Sequence, residues 1–178
     1  MTKEVVALSA VRSAIGGFGG SLSGLTPEDL GALVAREAFV RAGVDPKAAT
    51  YAVVGNVIPC GFSFPYVPRR VTINAGMAMK STVMACNRLC GSAMQAIVSV
   101  AQNILLGDAE IGLGGGVEVM SAGGYLSTAM RSGARMGDTQ MVDMMVAVLT
   151  DPFGAGHMGM TAENQAVKWG ISREAQDA

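Results

Sequence analysis

The sequence has few charged residues and no long apolar run. Asp, Glu, Lys and Arg make up 15% of the 178 residues, whereas half are hydrophobic, and the mean hydropathy is +0.38. The apolar runs fall short of the roughly 18 residues that a membrane-spanning helix needs, so we expect no membrane segment. The net charge of −1 lacks the basic surplus typical of a nucleic-acid binder. The apolar residues therefore predict buried elements and subunit contact surface.

Cysteine is also scarce, and the three present cannot all pair. The opening "MTKEVVALSA" has a single lysine and too short an apolar run for a signal peptide, so we expect a reducing, cytoplasmic environment. Cys86 is predicted to be buried and inert in a strand, and Cys60 to be structural in a loop. No Cys and His set has metal spacing, so we expect no metal and no permanently bound cofactor.

The pattern along the chain alternates between strand-like and helix-like segments, which predicts an α/β fold with a mostly parallel sheet. The predicted strands are "EVVALSAVR", "YAVVGNVI", "STVMACN" and "AEIGLGGG". The predicted helices are "LTPEDLGALVAREAFVRAG", "PYVPRRVTINAGM" and "CGSAMQAIVSVAQNILLGD". The last of these has a predicted apolar face made of Met94, Ile97, Ala101, Ile104 and Leu105.

The regular pattern ends near Met120, which predicts a core domain over 1–119 and a second, partial domain over 120–178. Ser172 is a good N-cap for a final helix, but only six residues follow it, too few for a helix to be stable alone. We therefore expect the chain to be one piece of a longer protein.

Cys90 lies where a strand-like run gives way to the third predicted helix, just after Arg88. Unpaired N–H groups at a helix start stabilise a thiolate. Gly91 and Ser92 leave room for a carbonyl to approach the sulfur, and the Cys90 amide could donate to the developing oxyanion. On the residues alone, a nucleophile and a small apolar residue at a helix start both stay possible.

The segment "NRLCGSAMQAI" resembles the nucleophile signature of the thiolase family, the acyl-CoA C-acetyltransferases. Seven further segments match in order: "VVALSAVRSAIGGFGGSL", "DLGALV", "VVGNVI", "GDAEIGLGGGVEVMS", "RMGD", "HMGMTAEN" and "ISREAQD". The chain is most similar to bacterial β-ketothiolases. The resemblance implies the N-terminal half of a layered thiolase fold.

The resemblance also implies the chemistry. Cys90 would take the acetyl group of acetyl-CoA and pass it to a second acyl-CoA in a Claisen condensation, or run the reverse thiolysis of a 3-ketoacyl-CoA. Family positions that line the pantetheine and acyl pocket match His157, Met158 and Leu149. The implied setting is fatty acid metabolism in a homodimer or tetramer, without nucleic acid or membrane.

The sequence departs from the family in three places and in length. Ala93 stands where the family usually has Gly, "GGGVEVMS" differs mildly, and "PCGFSFPYVPRR" differs clearly. Known thiolases are about twice as long, and their second half carries a Gly-His-Pro histidine, an Asn-Glu-Ala-Phe segment and a second catalytic cysteine. These motifs do not occur here, so we expect the chain alone to be inactive without a C-terminal thiolase half.

Several other features have two interpretations. His157 could simply cap a loop, and Arg131 and Arg135 could contact the phosphates of coenzyme A, solvent or a neighbouring subunit. "GGFGGSLSG" and "GLGGG" do not complete a phosphate-binding pattern and predict turns and close strand–helix packing. Glu118 and Glu163 form no obvious acid–base pair. Two other functions stay open: a non-catalytic assembly or binding half, and a ketoacyl-synthase-like condensing enzyme.

Overall fold

The computed structural model describes residues 4–178. The chain forms two compact units, the first ending at Ala122 and the second running from Gly123 to Ala178. The first unit contains a parallel sheet with helices on both faces, which confirms the predicted α/β class.

The sheet of the first unit has three strands in the order β2-β1-β3, where β1 is Tyr51–Gly55, β2 is Thr82–Cys86 and β3 is Gly112–Gly116. Both pairings are parallel, and Gly55 lies opposite Cys86 on one side and opposite Gly116 on the other. The carboxyl ends of all three strands therefore meet at one edge, where ligands bind in open α/β sheets.

Three helices cover the sheet: α1 is Pro27–Ala42, α2 is Val67–Asn74 and α3 is Ser92–Leu106. The predicted ends of α1 are confirmed. The Thr26 hydroxyl accepts a hydrogen bond from the Asp29 amide at 3.1 Å, and Gly43 ends the helix in the left-handed region with φ 66°. Short 3₁₀ turns occupy Pro46–Ala48, Phe64–Tyr66 and Met120–Ala122.

Side chains alternate between the two faces of β1 and so divide the core. Ala52 and Val54 pack with Phe39 of α1 and with Val67 and Val71 of α2. On the other face, Val53 packs with Ala96 and Val100 of α3, with Cys86 at the margin of this cluster. This period-2 alternation gives three layers, with the sheet between two helical layers.

The predicted N-terminal strand "EVVALSAVR" is wrong for the described residues, because residues 4–12 form no strand and none of them is fully buried. Residues 5–13 instead line an apolar groove of about 780 Å³ together with α1, α3 and β3. A strand needs a neighbour about 4.8 Å away, and within residues 4–178 this segment pairs with no strand.

The predicted apolar face of α3 is largely exposed and is not the side of the helix that lies on the sheet. The helix turns Ser92, Ala96 and Val100 toward the sheet, whereas Met94, Ile97 and Leu105 are each more than half exposed.

The stretch Leu89–Leu106 is 18 residues long with a mean hydropathy of 1.5, and 17% of it is buried. By length and composition it could cross a membrane, so the prediction that no run reaches this length is wrong. A core helix passes the same test.

The second unit is built from short elements. Its strands are β4 (Tyr125–Leu126), β5 (Val142–Asp143), β6 (Thr150–Asp151) and β7 (Gly156–His157), and its helices are α4 (Met144–Val148), α5 (Met158–Trp169) and α6 (Arg173–Asp177). A 3₁₀ turn spans Met130–Ser132. The antiparallel pairs are β4 with β5 and β6 with β7. Ser172 caps α6 by accepting from the Ala175 amide, as predicted.

Candidate active site

Cys90 lies on the turn between β2 and α3, as predicted, and its side chain is exposed. The helix starts two residues later, at Ser92, and Gly91 is its N-cap. The prediction that Cys90 lies in the first turn of the helix is therefore wrong, because Cys90 precedes the first helical residue by two positions. Cys90 precedes the helix and stands at the carboxyl edge of the sheet.

The turn that carries Cys90 contains an unusual backbone conformation. Leu89 has φ 48° and is the one non-glycine residue with positive φ among residues 4–178. Such a conformation costs about 1–3 kcal/mol and persists only where the surroundings enforce it. Nothing in the sequence signals this feature, because Leu is not a residue that favours the left-handed region.

Side-chain and backbone hydrogen bonds enforce the turn. The Leu89 amide donates to Asn87 Oδ1 at 3.0 Å. Buried Ser92 accepts from the Arg88 amide at 2.9 Å and donates to the Leu89 carbonyl at 2.6 Å. The Gly91 amide donates to the Arg88 carbonyl at 3.1 Å. Hydrogen bonds therefore fix both the amide and the carbonyl groups of Arg88 and Leu89, immediately before Cys90.

The start of α3 sits close against the ends of β1 and β3. A Cβ atom at Gly55 would lie 2.8 Å from the Ser92 Cβ, and one at Gly116 would lie 2.9 Å from the Ala93 Cβ. Both separations are shorter than real side-chain contacts. The prediction that "GLGGG" serves close strand–helix packing is confirmed, and the packing leaves room for the Ala93 methyl group only because residue 116 has no side chain.

The Glu118 carboxylate connects the segments that follow β1 and β3 at this edge of the sheet. Glu118 Oε1 accepts from Asn56 Nδ2 at 2.9 Å and from the Ile58 amide at 3.0 Å, and Oε2 accepts from the Val57 amide at 3.0 Å. Burial raises the pKa of Glu118, although the amides of Ile58 and Val57 lower it in part. We interpret Glu118 as a structural residue whose hydrogen bonds join the ends of β1 and β3. The sequence does not predict this role.

The other two cysteines differ from Cys90. Cys60 is buried, as its structural interpretation requires, and burial together with the nearby carboxylates of Glu118 and Glu28 raises its pKa to about 11. Cys86 ends β2, as predicted, but it is only half-buried, so the expectation of full burial is wrong. It lies at the outer margin of the small cluster beneath α3, where the helix covers it incompletely.

The second unit brings the three predicted pocket residues together. Leu149 follows α4, and its carbonyl accepts from the Met158 amide at 2.8 Å. His157 pairs with Thr150 across the β6–β7 hairpin and caps α5, because its Nδ1 accepts from the Gly159 amide at 3.0 Å. The capping interpretation of His157 is thus correct in kind, although the element that it caps is a helix rather than a loop. With Nδ1 as acceptor, the neutral ring carries its proton on Nε2.

The remaining candidates are on the surface of the second unit. Arg131 lies in the 3₁₀ turn and Arg135 in the following loop, and both are exposed. Glu163 and Asn164 are exposed on α5. Within residues 4–178, no three His, Cys, Asp or Glu side chains are grouped so that they could hold a metal ion.

An exposed cysteine just before a helix, at the carboxyl edge of a parallel α/β layer, is an arrangement found in enzymes that use a cysteine nucleophile. The family model "Thiolase, N-terminal domain" matches residues 5–178. The chain belongs to the thiolase family.

Similar proteins agree with this assignment. β-Ketothiolase BktB of Cupriavidus necator is 52% identical over 99% of this chain and 45% of its own length. An acetyl-CoA acetyltransferase of the same organism is 43% identical over 98% of this chain and 44% of its own length. The chain thus spans less than half the length of these relatives.

Among solved structures, human mitochondrial 3-ketoacyl-CoA thiolase in complex with CoA matches with a TM-score of 0.82 and 37% identity. That match covers 90% of this chain and 41% of the human chain. Both kinds of comparison therefore agree on the thiolase family, and the family model assigns this chain to the N-terminal domain.

Proposed function

We propose that this chain supplies the nucleophilic half of an acyl-CoA C-acetyltransferase. The Cys90 thiolate attacks the carbonyl carbon of acetyl-CoA, the bond to the coenzyme A sulfur breaks, and coenzyme A leaves as a thiolate that takes up a proton. A base of the C-terminal half takes a proton from the α-carbon of a second acyl-CoA, and the resulting carbanion attacks the acetyl group, which releases the Cys90 thiolate and forms a 3-ketoacyl-CoA. The reverse reaction is thiolysis.

The observation that carries the proposal is the location of Cys90. Its thiol is exposed on a fixed turn at the carboxyl edge of a parallel sheet, two residues before a long helix. The N-terminal end of a helix favours negative charge, so this location suits the oxyanion that develops when the sulfur attacks a carbonyl group. A thioester carbonyl is the type of electrophile that such a thiolate attacks.

We assign the pantetheine and acyl pocket to Leu149, His157 and Met158. They are adjacent in the second unit, and Met158 presents a partly exposed, adaptable apolar side chain. The His157 ring is fixed by its cap on α5 and offers Nε2–H as a donor to a substrate carbonyl. One relative structure contains CoA, which supports a coenzyme A thioester as the substrate class.

The residues that activate Cys90 belong, in this proposal, to a C-terminal thiolase half. Two surfaces of the first unit support this partner: the apolar outer face of α3, and the groove beside the free edge of β3. Apolar surface of this extent in a folded protein normally contacts another element. The same argument favours a position of α3 inside the assembled protein rather than in a membrane.

The homodimeric or tetrameric state and the cytoplasmic location are further proposals. The cytoplasmic location is supported by relatives named as cytosolic.

Radiolabelled acetyl-CoA tests the proposal directly. The chain is combined with its C-terminal half, exposed to acetyl-CoA labelled in the acetyl group, quenched in acid and digested. We expect the label on the peptide containing Cys90 and its absence in Cys90→Ser, with Cys86→Ser as the matched control that keeps the label. A folded assembly that retains no label would contradict the proposal and favour a non-catalytic assembly role.

A further inference from the structure

The residue before Cys90 adopts a conformation that the local sequence does not favour. Leu89 lies at φ 48°, in the left-handed region that non-glycine residues rarely adopt. Its side chain is mostly exposed, with 59% of its surface accessible, so packing of the leucine side chain cannot be what holds the backbone there. Backbone strain at such a position clusters at active sites, where it is part of the mechanism.

The forces that hold Leu89 come from residues on either side of it. Asn87 Oδ1 accepts from the Leu89 amide, and the Ser92 hydroxyl donates to the Leu89 carbonyl. Ser92 is 5% exposed and packs against Gly55. One end of the strained residue is therefore anchored to the core through Ser92, and the other is anchored to the end of β2 through Asn87.

The conformation of Leu89 has a direct effect on Cys90. A left-handed residue changes the direction of the backbone, and the side chain that follows it, Cys90, is exposed rather than packed at the strand–helix junction. Cys86, four residues earlier on the strand, is half-buried, whereas Cys90 is exposed. A relaxed Leu89 would allow Cys90 to sample orientations other than the one that meets the substrate.

We propose that Asn87, Leu89 and Ser92 are positioning residues for the reaction of Cys90: the enforced left-handed turn at Leu89 fixes the direction of the thiol. This inference rests on the proposed function, since it concerns how the same cysteine is presented to an acyl-CoA. Misplacement of a reacting group by about 1 Å can cost about a hundredfold in rate, so a flexible turn should lower kcat and leave KM nearly unchanged.

The decisive comparison is Leu89→Gly against Leu89→Ala, in the chain assembled with its C-terminal half. Both variants remove the side chain, but only glycine accepts the left-handed region without strain and also leaves it freely. We expect Leu89→Gly to have the higher melting temperature and a kcat at least about tenfold lower than Leu89→Ala, with KM for acetoacetyl-CoA within about twofold. A merely structural role would lower activity and stability together.

A second pair tests the Asn87 anchor with a conservative rescue. Asn87→Asp keeps an oxygen that can accept from the Leu89 amide, whereas Asn87→Ala does not. We expect kcat of the aspartate variant to stay within about twofold of the parent and that of the alanine variant to fall about tenfold. The melting temperatures are measured alongside, so that a kcat loss in Asn87→Ala can be separated from unfolding.

The outcomes separate this inference from the proposed function. If the parent assembly transfers no acetyl group, the proposed function fails, and this inference fails with it. If the parent is active and Leu89→Gly has the same kcat as Leu89→Ala, only the inference is overturned. Equal kcat values for Asn87→Ala and Asn87→Asp would overturn the anchor assigned to Asn87.

Discussion

The thiol of Cys60 donates to the carbonyl oxygens of Ile58 at 3.3 Å and Val119 at 3.5 Å. Burial and two carboxylates raise its pKa to about 11, because a thiolate there would lose water and meet negative charge. The Cys90 thiol, in contrast, is exposed to solvent on its turn. Chemical reactivity should therefore separate the two cysteines sharply.

Alkylation with iodoacetamide tests this difference. A raised pKa keeps the neutral thiol dominant until the pH approaches about 11, so at pH 8 only about one thousandth of Cys60 is thiolate. We expect peptide mass spectrometry at pH 8 to find Cys90 modified and Cys60 unmodified in the native chain, and Cys60 modified after denaturation. Native alkylation of Cys60 as fast as that of Cys90 would contradict the assignment.

The sequence predicts Cys90 but not its surroundings, for a physical reason. The signals that single out Cys90 are local, since the strand, the glycine and the helix adjoin it in the sequence. Glu118 accepts hydrogen bonds from the amides of Ile58 and Val57, which precede it by 60 and 61 positions in the sequence. No local sequence pattern marks contacts over such a separation. Leu89 is missed because its strain arises from the hydrogen bonds of its neighbours rather than from its own preference.

At the scale of secondary-structure elements, the ends of helices are predictable and their buried faces are less so. Thr26, Pro27 and Gly43 determine the ends of α1 through short-range hydrogen bonds and backbone preferences. α3 is apolar on several faces, so its sequence does not say which face meets the sheet. The glycines of β3 allow the close approach, because a Cβ atom at Gly112, Gly114 or Gly116 would come within 2.9 Å of an atom of α3.

A pair of glycine substitutions in β3 tests this close packing. A Cβ at Gly114 would lie 2.8 Å from the Ile97 Cα, a backbone atom that cannot move aside, whereas one at Gly115 would meet nothing within 4 Å. We expect Gly114→Ala to lower the free energy of unfolding by about 1–3 kcal/mol, the usual cost of overpacking. Gly115→Ala should be neutral or stabilise by up to about 1 kcal/mol.

Urea denaturation of the two variants and the parent provides the measurement. The same substitution in neighbouring residues of one strand controls for strand propensity and for the loss of glycine flexibility. Equal destabilisation by both variants would show that α3 does not lie against the Gly114 face of the sheet.

At the scale of the whole molecule, the chain spans about 45% of the length of its β-ketothiolase relative. The segment predicted as the first strand lines a groove, and the outer face of α3 is apolar and exposed. Both departures from the sequence-based expectation concern surfaces that the C-terminal half in our proposal would cover. The two departures depend on contacts that are not local in sequence, whereas local sequence patterns predict the sheet and its three helices.

The most direct measurement of the central claim is thiolysis of acetoacetyl-CoA, followed as loss of substrate absorbance. It is run with the chain alone, the C-terminal half alone, the two combined, and the combination carrying Cys90→Ser. We predict activity only in the combination, and a loss of at least about a thousandfold on removal of the nucleophile. Turnover by Cys90→Ser at the parent rate, or full turnover by the chain alone, would contradict the account.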